Sequence, residues 1–124
     1  MDRPKGYTAR INENGYAETP VWPRGTRKYA VTIVGPSGTL SFPYHTGPAI
    51  TEKPKLQDVV QAAITDGQFY EDNPTVERFS AEAGGYETGQ DLMRAFKTCQ
   101  RMAEGTRRVF GDDYDAMAEW SADN

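Results

Sequence analysis

Three sets of side chains in this 124-residue chain are of types that do chemistry, and each calls for a different kind. Cys99 and His45 are the sole cysteine and the sole histidine, so they form the one combination of thiol and imidazole. A nucleophilic thiolate needs that imidazole within hydrogen-bond reach. Cys99, however, falls on the apolar stripe of the segment from Thr88 to Phe110, where a free cysteine behaves as a small buried hydrophobe, so the expectation is core packing. His45 stands at the end of a predicted strand beside Tyr44 and Thr46, as a strand cap or a partner contact. The second set is acidic: Asp112, Asp113, Asp115, Glu119 and Asp123 all follow Gly111 with no basic residue among them. The third is basic and aromatic: Arg24, Arg27 and Lys28, with Tyr7, Trp22 and Tyr29 interleaved, are the ingredients of a single-strand nucleic-acid surface.

Other candidates fall to spacing. Asp112, Asp113 and Asp115 lack the spaced ligands and closing Glu of a calcium loop, and one Cys with one His cannot furnish a structural zinc site. No metal site and no cofactor are expected. Gly35-Pro36-Ser37-Gly38 lacks the Lys-Ser/Thr ending of a phosphate loop and lies between two strand patterns, so it is read as a turn. Pairs such as Glu71-Asp72 and Asp112-Asp113 are adjacent, and neighbouring side chains diverge, so no acid–base couple is indicated.

The charge is split along the chain. Residues 1–55 carry eight basic and four acidic side chains, a net +4, whereas residues 56–124 carry six and fourteen, a net −8, for −4 in all. A one-signed surface steers association with an oppositely charged one. The low pI of about 5.0 weighs against direct phosphate binding by the whole chain. Hydrophobic residues make up 37% and charged residues 26%, enough for a modest globular core. No window approaches a membrane-spanning run and the first six residues lack the apolar stretch of a signal peptide, so a single soluble, cytoplasmic domain spanning 1–124 is expected, with no membrane partner.

The elements that must position these residues follow from periodicity. Residues 1–26, with Pro4, Gly6, Gly15, Pro20, Pro23 and Gly25, read as an irregular N-terminal arm whose apolar residues dock on the body. Alternation of Tyr29, Val31 and Ile33, then of Leu40, Phe42 and Tyr44, predicts a β-hairpin over 28–45, with Pro43 marking an edge. A two-stranded hairpin is marginal alone, so helices, or a third strand from the arm, must cover or extend it. The region 54–122 reads as helical: Pro54 to Asp66 stopped by Gly67; a short helix after Pro74 capped by Asn73; a long helix capped by Thr88 and running to Gly111; and a last short helix holding Tyr114, Met117, Ala118 and Trp120. The fold class predicted is α+β, a β-hairpin or small antiparallel sheet packed against a long C-terminal helix and two or three shorter helices.

The run from Pro74 to Tyr86, the Cys99-Gln100 pair on the long helix and its Arg107-Arg108-Val109-Phe110-Gly111 ending resemble a broad set of small phage and prophage proteins of mostly unassigned activity. Phe42-Pro43-Tyr44 through Gly47, and the helix from Leu56 to Ile64, fit the same pattern, so the resemblance covers residues 28 to 111. The Gly84-Gly85 doubling and the Pro-rich arm depart from it, which makes any partner specificity this chain's own. The resemblance implies a phage-encoded, non-enzymatic inhibitor of the anti-CRISPR or anti-restriction kind, whose partner is a bacterial defence-complex protein, a CRISPR effector or a restriction enzyme. Acting as a DNA mimic, Asp112, Asp113, Asp115 and Glu119 would then occupy a basic nucleic-acid groove on that partner. The alternative is a phage accessory protein binding nucleic acid directly through Arg24, Arg27 and Lys28. An enzyme has no recognisable residues behind it.

Overall fold

A computed structural model describes residues 3–19 and 21–122. Three strands, β1 (Thr8–Tyr16), β2 (Arg27–Gly35) and β3 (Gly38–Thr46), form an antiparallel meander in the order β1-β2-β3. Four α-helices follow: α1 (Leu56–Asp72), α2 (Val76–Ala83), α3 (Gly89–Phe110) and α4 (Tyr114–Ala122), with a 3-10 turn over Gly111–Asp113 between the last two. This is the α+β class that the hydrophobic pattern predicts.

The register explains the layers. Ile11 pairs with Val31 and Val31 with Phe42, while Ala9, Ile33 and Leu40 form the next row, so one sheet face is a continuous apolar surface. Helices α1 and α3 cover that face, with α4 packed against both of them, and Val59, Val60, Ala63, Ile64, Met102, Val109, Phe110 and Met117 complete the core. The opposite face carries Thr8, Arg10, Asn12, Lys28, Ala30, Thr32, Val34, Thr39, Ser41, Pro43 and His45, and no helix packs there among the described residues.

Three sequence expectations need correction. The arm over 1–26 is not irregular throughout, because Thr8–Tyr16 is the third strand that the hairpin requires. Its alternation is hidden because only Ile11 of its side chains is buried. Helix α1 does not stop at Gly67 but continues to Asp72. Gly67 is buried at the crossing with α3, where an added Cβ would stand 2.9 Å from the Ala103 Cα, so the glycine permits close approach instead of ending the helix. Asn73 does not cap α2; it is buried at the C-terminus of α1, its side-chain amide donating to the Phe69 carbonyl, and Thr75 caps α2 by accepting from the Arg78 N–H.

The long helix matches its prediction. Thr88 accepts the Asp91 N–H at 3.1 Å and donates its hydroxyl to the Asp91 carboxylate at 2.9 Å. Where α1, α2 and α3 meet, Phe69, Tyr70, Phe79, Tyr86 and Phe96 make a second aromatic cluster, with Phe79 edge-on to both Phe69 and Phe96.

Candidate functional site

Gly111, at φ +51° and ψ −124°, a backbone conformation open to glycine, ends α3 and starts the acidic segment. Asp112 and Asp113 lie in the 3-10 turn and Asp115 in the first turn of α4, where the unpaired N–H groups of a helix start favour carboxylates. The four predicted acids then diverge in role. Asp113 is half-buried and accepts the Tyr7 hydroxyl at 2.8 Å, a link between the start of β1 and the last helices. Burial, then the bond to Asp113 and its charge, push the Tyr7 phenol up to about 12. Asp112, Asp115 and Glu119 are exposed, and Asp115 and Glu119, four apart, share a face of α4. Asp123 lies outside the described residues.

The cation beside this edge is Arg107. Its guanidinium donates twice to Glu71, Nε to Oε1 at 3.0 Å and Nη2 to Oε2 at 2.9 Å, and lies 3.6 Å over the Tyr114 ring. The bonded guanidinium holds the Glu71 carboxyl below its ordinary range. Arg107 is thus shared with Glu71, which leaves the exposed acids of 112–119 a negative edge.

The basic set is brought to the opposite end of the sheet, where β1 hands over to β2. A bulge between Glu13 and Tyr16, with Gly15 at φ +77°, breaks the ladder and opens a shallow cleft of about 290 Å³ lined by Glu13, Gly15, Tyr16, Arg27, Lys28 and Tyr29. The connecting loop is closed by Ala17 N–H to the Thr26 carbonyl at 2.9 Å and by Thr26 to the Pro23 carbonyl. That closure lays Trp22 parallel on His45, ring centroids 4.1 Å apart. Burial and the neighbouring Lys28, its cross-strand partner, lower the His45 pKa. Arg27 donates to the Ile50 carbonyl and so ties down the β3–α1 loop, while Arg24 is exposed and Lys28 is half-buried.

Sequence reasoning missed Arg10. It is exposed on the same helix-free sheet face as Lys28, and its signal, the alternation of Thr8, Arg10 and Asn12 with Ala9 and Ile11, is available once 8–16 is read as a strand. Cys99 and His45 are on opposite sides of the sheet: Cys99 is half-buried on α3, where burial and the nearby Asp66 push its thiol up to about 11, and His45 is on the uncovered face. They form no couple, and Cys99 stands outside the main core cluster. Among the described residues no group of three or more His, Cys, Asp or Glu side chains is placed to hold a metal, and no helix is long and apolar enough to cross a membrane.

Fold and surfaces together define an α+β protein, a meander with a helical layer on one face and two oppositely charged regions. Compared with known proteins, the chain matches no family model, and no curated protein or solved structure is significantly similar to it.

Proposed function

We propose that the protein works by binding a macromolecule through surface charge, as a non-enzymatic, phage-encoded inhibitor of a bacterial nucleic-acid-targeting defence protein. The observation that supports this reading is the negative edge of Asp112, Asp115 and Glu119, exposed together at the end of the helical layer while the nearby Arg107 is held by Glu71. Such an edge fits a groove of Lys and Arg that otherwise holds DNA or guide RNA, and occupying it blocks the groove. Asp113 contributes by holding the edge through Tyr7 instead of facing the partner.

The test is a pull-down of the tagged protein from lysates carrying CRISPR and restriction systems, with and without nuclease, repeated with the Asp112→Lys, Asp115→Lys, Glu119→Lys triple variant. A stoichiometric, nuclease-resistant defence subunit that the wild-type chain captures and the triple variant loses is the expected result. Equal capture by both chains would remove these residues from the interface, and capture of nothing but nuclease-sensitive material would remove the inhibitor reading.

A further inference from the structure

The sheet face without a helix has a chemistry of its own. Its described residues include Arg10, Lys28 and His45, separated by small neutral side chains, and no carboxylate, in a chain whose net charge is −4. At one corner Trp22 is stacked on His45 yet keeps 39% of its surface exposed. Arg24 is exposed in the same loop as Trp22. An exposed flat ring beside cations, with no carboxylate on the strand residues of the face and Glu18 alone among the described residues of the loop, suits a polyanion that also carries flat rings.

We propose that this face and its corner bind single-stranded nucleic acid. One base stacks on the Trp22 indole, and the backbone phosphates follow Arg24, Lys28 and Arg10. Arg10 and His45 are separated by four residues along the strands, about 13 Å, and by two strand spacings, about 10 Å, so the bound strand runs diagonally over a few nucleotides. A single strand is specified because its bases are free to stack on side chains, whereas the flat face has no projecting helix or ribbon to enter a duplex groove. The surface is separate from the acidic edge, and the proposal stands or falls independently of the inhibitor reading.

The experiment is fluorescence titration of the full chain with oligo-dT and oligo-U, in a Trp120→Phe background so that Trp22 reports alone. Saturable quenching of Trp22 by both oligomers is expected. Three phosphate contacts give a salt slope of about −2, so a fourfold rise in salt weakens binding roughly twentyfold. Trp22→Ala, read by anisotropy of a labelled oligomer, should weaken binding roughly tenfold. Arg10→Glu, on an exposed strand position, should do so without disturbing the Trp22 stack. No saturable binding at low salt, affinity unchanged in both variants, duplex DNA bound as tightly as the single strand, or poly-glutamate competing as well as the oligomer would each overturn the proposal.

Discussion

Tyr7 holds the two ends of the chain together. Its ring stands edge-on to Phe110, 5.5 Å between centroids, and its hydroxyl reaches Asp113, so the first strand is fastened to the last helical turns through one side chain. Tyr7→Phe should lower stability by about 1.5–3 kcal/mol in urea unfolding, the range for a hydrogen bond to a charged group. The phenol also sets an alkaline limit. Its folded pKa is raised from 10.0 to about 12, so below about pH 10 both states are protonated and the contribution is complete. Above that the unfolded phenol ionises first, and stability falls as pH rises from about 10 toward 12. Unfolding midpoints across that window, followed with phenolate absorbance, should decline in the wild-type chain and decline less in Tyr7→Phe.

At the scale of elements, two buried helical glycines make opposite predictions. Alanine is the better helix former by about 1 kcal/mol, so each substitution starts with a gain. At Gly67 the new Cβ meets the Ala103 backbone at 2.9 to 3.0 Å, which neither helix can yield without moving apart, and a cost of about 1–3 kcal/mol outweighs the gain. At Gly105 the obstacle is the end of the Leu40 side chain, which can change rotamer, so Gly105→Ala should be near neutral. Thermal unfolding of the two variants checks the difference. Thr88→Ala should cost about 1 kcal/mol through loss of the α3 cap.

These elements also mark what was legible in the sequence. β2, β3 and α3 were readable because alternation, turn and cap agree with one another. β1 was not, since an edge strand with one buried residue has almost no alternation to read, and Gly67 misled because a glycine that lets two helices touch has the same letter as one that ends a helix. Asn73 and Thr75 are both good caps by residue type, and only the path of the chain shows that Asn73 closes α1 while Thr75 opens α2.

For the whole molecule, the charge split along the chain becomes a split in space. The cations of the first half gather on the sheet and its loops, and the acids of the second half on the helical layer. The sign of each half was legible; the surfaces were not. Trp22 meets His45 only after the β1–β2 loop closes and the meander pairs, and Asp113 is withdrawn from the acidic edge by a tyrosine at the other end of the chain. Residues 84–88 between α2 and α3 are exposed throughout, so limited proteolysis should cut first there. The two pieces should stay associated through the α1–α3 crossing, which mass spectrometry of the intact complex would read.

The meander order has a consequence for synthesis. Each strand pairs only with its neighbour in the chain, so the sheet can assemble once residue 46 has left the ribosome, before any helix has emerged to cover it. At that moment Tyr29, Val31, Ile33, Leu40 and Phe42 form an uncovered apolar surface, with two free strand edges beside it. The nascent chain therefore passes through a sticky stage that ends only as α1 and then α3 emerge to cover it. A chain cut after residue 53 should collect in inclusion bodies, and supplying the helical remainder afterwards should not recover it.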